Sequence, residues 1–288
     1  MKVRIADILL EFVGVDPQII PPNTLQFAVE DSKPADVIYR FHAVNDLPLP
    51  DDSWTILFQR DAIVVYGKEG LEQRLLLEPT YRTLYGVYRE GRDGIVDVYY
   101  KEAFSESMRI DTIFNSFLSL ERHFAKRKCY ILHCAFLAFK NQAILFSGPS
   151  GIGKSTHADL WCKHIEQTHV VNGDRCLISP REDGTYIANG WPVCGSSGIC
   201  HVEQYPIKAI VFMQQAKENQ VSALNMMQRF RLLNTQVTIN HWNPEATQRA
   251  MDWLLDLASK VNIVSYACNM ESSAPKVLAE ALFDETFF

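Results

Sequence analysis

Residues Gly148-Pro149-Ser150-Gly151-Ile152-Gly153-Lys154-Ser155 match the spacing G-x-x-x-x-G-K-[ST] in full. No other stretch restricts the fold of this chain so tightly, because the pattern works only between a buried strand and a helix. Glycines let the backbone bend until successive N–H groups point inward at phosphate oxygens. The helix that follows adds its positive N-terminal end. Lys154 is placed to neutralise β- and γ-phosphates, and the Ser155 hydroxyl to ligate Mg²⁺, with Thr156 beside it. Residues Gly148 to Thr156 are therefore expected to hold ATP with Mg²⁺, as a P-loop.

The flanking sequence supplies that context. Two apolar runs, Ile131–Phe139 and Ala143–Ser147, are separated only by Lys140-Asn141-Gln142. This predicts a tight β-hairpin, with Asn141 in a turn conformation that it tolerates. A two-residue turn at Lys140-Asn141 pairs Phe139 with Gln142. The same register carried along the ladder sets His133 opposite Gly148, at the mouth of the loop. His133 is then either a phosphate contact or proton relay, or a structural histidine at a strand end. A phosphate site of this type also needs a carboxylate for its metal. Asp174, which follows the short run Val170-Val171 in Asn172-Gly173-Asp174, is the candidate for metal or base duty; the alternative is a turn aspartate.

Elsewhere the pattern divides the chain. Up to about residue 104 it reads as strands and turns, including Trp54–Gln59, Ala62–Tyr66 and Ile95–Tyr100. A helix is predicted next, from Ile110, Ile113, Phe114, Phe117, Leu120 and Phe124 at helical spacing. Lys126-Arg127-Lys128 closes it, as cations do at a helix C-terminus, or else forms a basic patch for phosphate. Beyond the loop, His157–His164 is expected as helix. Val170–Val171, Arg175–Ser179, Thr185–Ala188, Ala209–Met213 and Ile263–Tyr266 are expected as strands. Helices are expected at Asn225–Asn234, Pro244–Lys260 and Ser273–Leu282. Two regions result, 1–104 as a β-rich N-terminal region and 105–288 as a nucleotide-binding core.

Bulk properties exclude some classes. The formal net charge of −6 gives no global basic field for nucleic acid or an anionic membrane. No stretch of about 18 apolar residues predicts a transmembrane helix, and Asp7 and Glu11 interrupt any signal-like core. The 7 cysteines, an odd number, fit reduced thiols and a cytoplasmic setting rather than a disulfide framework.

His133, the hairpin, the glycine-rich loop and Gly173-Asp174-Arg175 together resemble HPr kinase/phosphorylase and the superfamily it shares with ATP-dependent phosphoenolpyruvate carboxykinase. The resemblance runs from about Tyr130 to Met213. It is similar above all to HPr kinase-like proteins of peptide-modification gene clusters. Trp191-Pro192, Cys194-Gly195-Ser196-Ser197 and the strand Pro206–Phe212 continue that pattern in order. The implied fold is α/β, an HPr kinase-like P-loop core with an antiparallel hairpin before the loop, preceded by a β-rich region. The implied activity is transfer of the ATP γ-phosphoryl group to a hydroxyl on a peptide or protein. Lys154, His133 and Asp174 would be catalytic, and Ser155 and Asp174 would hold Mg²⁺. Relatives of this fold often form homo-oligomers. HPr kinase carries paired aspartates where this chain has Gly173-Asp174, so one carboxylate stands where that family divides base and metal roles between two. The implied alternative is a nucleotide-binding regulatory or peptide-recognition subunit.

Other groups carry two readings each. Cys194, Cys200 and His201, and Cys162 with His157 and His164, lack the C-x-x-C pairing of a zinc site and read as buried cysteines and loop histidines. Gly190–Gly198 is a loop that closes on substrate or a surface connection. Arg175 belongs to the site or to a structural ion pair. Arg229 and Arg231 stabilise phosphoryl charge or lie on a solvated helix face. Tyr81, Tyr85, Tyr88, Tyr99 and Tyr100 form a peptide-binding face or fill strands.

Overall fold

The computed structural model describes residues 1–78 and 80–284; the last four residues of the expected 105–288 core lie outside these. The chain is mixed α/β and divides into two compact units. One is Met1–His123 with His241–Pro244; the other is Phe124–Asn240 with the chain from Glu245 on.

In the first unit the elements are β1 (Lys2–Ile5), β2 (Ile8–Val13), α1 (Pro22–Leu25), β3 (Ala28–Val29), β4 (Val37–Val44), β5 (Thr55–Arg60), β6 (Ile63–Lys68), β7 (Leu71–Leu77), β8 (Leu84–Glu90), β9 (Ile95–Lys101), α2 (Asp111–Leu118) and the start of α3 (Leu120–Ala125). Nine strands form one sheet in the order β3-β1-β2-β4-β9-β8-β7-β6-β5. β4 pairs in parallel with β2 and β9, and the other pairings are antiparallel. Alternation along β4 and β9 buries Val37, Tyr39, Phe41, Val96, Val98 and Tyr100. α2 covers that face with Phe114, stacked on Phe41 at 5.8 Å and edge-on to Phe12 at 5.7 Å. Tyr88 and Tyr100 are buried, so the five N-terminal tyrosines do not make one exposed face.

The apolar stripe from Ile110 to Phe124 is not one helix. Ser119 takes a left-handed conformation, φ 47°, which ends α2 and restarts the chain as α3. The stripe still buries Phe114, Phe117, Leu120 and Phe124, while Ile110 is exposed. The restart places Arg122 in a buried ionic cluster. Arg122 donates to Glu90 from Nε at 2.5 Å and to Glu72 from Nη1 at 2.6 Å. Arg74 donates to Glu72 at 2.8 Å and to Glu121 at 2.5 Å. Tyr88 donates to Glu90 at 2.8 Å, and the Trp242 indole donates to Glu72 at 3.2 Å. Burial alone raises the Glu90 pKa, but the Arg122 bonds and charge overcome it and hold the carboxyl at about 2.

The second unit continues with β10 (Tyr130–Phe139), β11 (Gln142–Ser147), α4 (Lys154–His164), β12 (His169–Asn172), β13 (Arg175–Pro180), β14 (Tyr186–Asn189), β15 (Gln204–Gln215), β16 (Gln220–Ala223), α5 (Met226–Gln236), α6 (Pro244–Lys260), β17 (Ile263–Cys268) and α7 (Ser273–Phe283). Eight strands run in the order β11-β10-β13-β14-β15-β17-β16, with β12 on β10, and β11 also pairs with β15. That last pairing is parallel, as is β15 with β17. The central strands are apolar on both faces because both faces are covered. On one side Leu132, Cys134 and Phe136 pack with Trp253, Leu254 and Leu257 of α6. On the other Ala135, Leu137 and Phe139 pack with Trp161 of α4 and Leu278 of α7.

The β10–β11 hairpin has the expected register, Phe139 opposite Gln142 and Cys134 opposite Ser147. Lys140 and Asn141 both have positive φ, 49° and 57°. That is what a two-residue turn requires when its twist must match the strands.

Replacing Arg122 by Met leaves Glu72 and Glu90 buried without their shared cation. We expect the unfolding free energy at pH 7 to fall by about 3–5 kcal/mol. Glu90 has a depressed folded pKa, so its contribution is present above about 4.5, the unfolded value, and is lost as pH falls toward about 2. The gap between wild type and variant in urea unfolding should therefore narrow across that window. A gap that is constant with pH would remove Glu90 from the account.

Candidate functional site

The glycine-rich loop leaves the carboxyl end of β11, beside the parallel strands β15 and β17. In open sheets of this kind ligands gather at the carboxyl ends of parallel strands. Its anchor is Ser147, fully buried, whose Oγ donates to the His133 carbonyl at 2.8 Å. Gly153 has φ 105° and stands at the N-cap of α4 without a side-chain cap. The first amides of α4 have no intrahelical acceptor, so they remain available to an anion at this end.

Lys154 is buried at 7% exposure, and its Nζ donates to the carbonyls of Gly148 at 3.1 Å and Pro149 at 3.2 Å. Burial lowers its pKa from the usual lysine value, and the Asp174 charge opposes this. The Ser155 hydroxyl donates to the Gly173 carbonyl at 3.3 Å. This bond ties the start of α4 to the turn after β12.

That turn is organised by Asn172, which is fully buried. Its Oδ1 accepts the backbone N–H of Asp174 and of Arg175, both at 2.9 Å. Its Nδ2 donates to the carbonyls of Trp191 at 2.7 Å and Val193 at 3.1 Å. One amide therefore fixes both Asp174 and the strand-end segment that leads into Gly195–Ser197. Gly173 lies against that segment: a Cβ there would stand 2.2 Å from Ser197 Oγ. Asp174 is held by Arg175 Nε at 3.0 Å, and its other oxygen faces His133 Nε2 at 3.6 Å.

His133 lies on β10 opposite Arg175. Its Nδ1 meets Gln236 Oε1 of α5 at 3.1 Å. A carbonyl oxygen only accepts, so Nδ1 carries a hydrogen in this bond, and Nε2 is the nitrogen that faces Asp174. Burial lowers the His133 pKa, Lys154 lowers it further, and Asp174 works the other way.

These parts line one cavity of about 290 Å³. Its wall takes in His133, then Ser150, Gly151 and Gly153 of the loop with Lys154, Ser155 and Thr156, and on the other side Gly173, Asp174, Ser196 and Ser197. Asp174 is the one carboxylate among these lining residues. Gly148, Pro149 and Ile152 belong to the loop without lining the cavity, and Gly148 and Pro149 act through their carbonyls. Its volume suits a phosphate chain better than a whole nucleotide, since drug-sized ligands occupy about 300–1,000 Å³.

Other candidates fall elsewhere. Arg229 donates to the carbonyls of Leu224 and Ala258, so it supports α5 against α6. His157 is fully buried between Phe146 and Tyr266, and burial lowers its pKa to about 4. Among the described residues no group of three or more His, Cys, Asp or Glu is placed to hold a metal ion; Cys194 and Cys200 are buried, while Cys162 and His201 are exposed. A magnesium site with one carboxylate, a hydroxyl and waters is of a different kind. Asn172 and Gln236 were not singled out from sequence. Asn172 had a signal, as the first residue of an Asn-Gly-Asp turn. Gln236 had none.

A family model described as "ScmC: SynChlorMet cassette protein ScmC" matches residues 99–283. The chain belongs to this family. The matched segment contains every residue of the cavity. Among solved structures, one described as the Hpr(Ser) kinase/phosphatase from Coxiella burnetii is similar at 14% identity. The match covers 54% of this chain and 88% of that one, with a TM-score of 0.31, too low to argue from. A search of curated proteins found no match. Among the described residues no helix is long and apolar enough to cross a membrane.

Removing the Asn172 amide takes the acceptor from the half-buried N–H groups of Asp174 and Arg175 and a donor from the Trp191 and Val193 carbonyls. Asn172→Ala is expected to lower stability by about 2–4 kcal/mol. A loss below about 1 kcal/mol in denaturant unfolding would mean that the turn is held by something else.

Proposed function

We propose that this chain binds ATP with Mg²⁺ through a P-loop at Gly148–Ser155 and transfers the γ-phosphoryl group to a hydroxyl of a peptide or protein, a serine by preference. The observation that carries this is the convergence of Lys154, Ser155, the uncapped start of α4, Asp174 and His133 on one cavity. The donor set fits the ligand: a buried ammonium and free helix amides for phosphate oxygens, and a hydroxyl with a carboxylate for a hard cation. When bound, ATP supplies the phosphoryl group and Mg²⁺ neutralises charge between its β- and γ-phosphates.

Lys154 would turn its Nζ from the Gly148 and Pro149 carbonyls toward phosphate, and α4 would add its amides. Ser155 and Asp174 would hold the cation. His133 Nε2, unprotonated and beside Asp174, would accept the proton of the attacking hydroxyl as its oxygen bonds to phosphorus. The bond from phosphorus to the β–γ bridging oxygen breaks, and ADP carries away the electron pair. Gln236 keeps the hydrogen on Nδ1 and thereby keeps Nε2 free for this task.

A second function is favoured by a specific observation. Asp174 is the single lining carboxylate and is already engaged by Arg175. If its metal and base duties conflict, the chain is a nucleotide-binding regulatory or peptide-recognition subunit.

Calorimetry with ATP and Mg²⁺ on wild type and Lys154→Ala tests the binding half. Loss of a charge-assisted hydrogen bond of about 1.5–3 kcal/mol should weaken ATP by roughly 10- to 100-fold. Equal affinity in the variant would sink the P-loop assignment. γ-Phosphate transfer to serine peptides then separates kinase from regulatory subunit.

If His133 is the base, turnover requires its neutral form. Its pKa is lowered from 6.5, so the acid limb of kcat should lie below pH 6.5 and vanish in His133→Asn. An unchanged profile in that variant would return base duty to Asp174.

A further inference from the structure

A larger cavity, of about 590 Å³, lies elsewhere in the second unit, between α6 and the β13–β14 hairpin. Its lining is unlike that of the chain as a whole, whose net charge is −6. Five cations, Lys126, Lys128, Arg181, Arg249 and Lys260, face two carboxylates, Asp252 and Asp256. Asp256 is already engaged, accepting from the Tyr186 hydroxyl at 2.6 Å and from Lys260 at 2.9 Å. Among the described residues Lys126, Lys128 and Arg181 form no ion pair, and all three are exposed.

The wall is aromatic and holds an unused donor. Trp253 packs on Tyr130 at 4.5 Å and edge-on to Tyr186 at 6.0 Å. It is 4% exposed, yet its indole Nε1 has no hydrogen-bond partner. Buried indole N–H groups normally find one.

The cations do not converge on a point. Arg249 and Lys260 stand roughly three turns apart on α6, about 16 Å at the helical rise. Lys126 and Lys128 come from the chain after α3, and Arg181 from the turn after β13. One phosphate draws its donors to a single centre, whereas an extended chain at about 3.3 Å per residue passes such cations over some five residues. We propose that this cavity docks an acidic peptide segment bearing apolar side chains, its carboxylates on the lysines and arginines and one apolar side chain against Trp253.

The geometry relates this surface to the first cavity. β13 begins at Arg175, next to Asp174, and ends at Pro180, which lines the second cavity. That is roughly 17 Å of strand, a span that five or six extended residues bridge. That the docked peptide is the hydroxyl acceptor rests on the kinase function proposed above; the docking itself does not.

The test uses the full chain without nucleotide, so failed docking and failed phosphotransfer are separate results. Fluorescence anisotropy would follow a fluorescein-labelled octapeptide alternating Glu with Leu, and a matched one alternating Lys with Leu. We expect the acidic peptide alone to bind. The exposed double variant Lys126→Glu/Arg181→Glu should weaken it at least ten-fold, with Lys217→Glu, an exposed lysine outside the cavity, within two-fold of wild type. Thermal unfolding of each variant checks that the fold is kept. Equal binding of the basic peptide, equal binding by the double variant, or no binding by wild type overturns the proposal. So does complete displacement of the peptide by inorganic pyrophosphate, which would mark a site for small anions.

Discussion

Asn172 uses every hydrogen-bonding direction that its buried carboxamide offers along two stretches of backbone. Its oxygen gathers the N–H groups of Asp174 and Arg175, and its nitrogen reaches the carbonyls of Trp191 and Val193. The turn after β12 carries Asp174, and the segment after Trp191 leads to Ser196 and Ser197. Both walls of the cavity opposite the glycine-rich loop thus depend on one side chain that does not line it. Ser155 completes the frame by bonding to the Gly173 carbonyl, so the start of α4 is referenced to the same turn.

The two units achieve their packing by different physics. In the second, apolar strands are covered on both faces, and each strand sends alternate residues into separate clusters. In the first, a buried ionic cluster of two arginines and three glutamates joins β7, β8 and α3. Such clusters add little net stability compared with apolar packing, but they penalise strongly any arrangement that leaves one member unpaired. The left-handed Ser119 is the backbone device that brings Arg122 into register with Glu72 and Glu90.

Much of the second unit was legible because its signals are local. The hairpin register follows from a two-residue gap between apolar runs, and that register alone sets His133 beside the loop. The helix expected from Pro244 to Lys260 has those bounds in α6. What sequence did not reveal depends on partners far along the chain. Gln236 meets His133 across 103 positions, and Trp242 meets Glu72 across 170. The break at Ser119 was hidden for a related reason: the apolar spacing continues through it, and only the distant glutamates explain why the helix must stop. Asp174 was singled out from its turn, but its nearness to Arg175 and His133 follows from the pairing of β10 with β13.

Gly173 and Ser197 form a steric lock. A Cβ at 173 would meet Ser197 Oγ at 2.2 Å and Ser197 Cβ at 2.3 Å. No side chain can be added at 173 while Ser197 keeps its place. The bulk at 197 must retreat first, and a smaller residue there gives up the Ser197 hydroxyl's bond to the Cys194 carbonyl at 2.7 Å. The turn after β12 and the segment ending at Ser197 can thus be altered only as a pair.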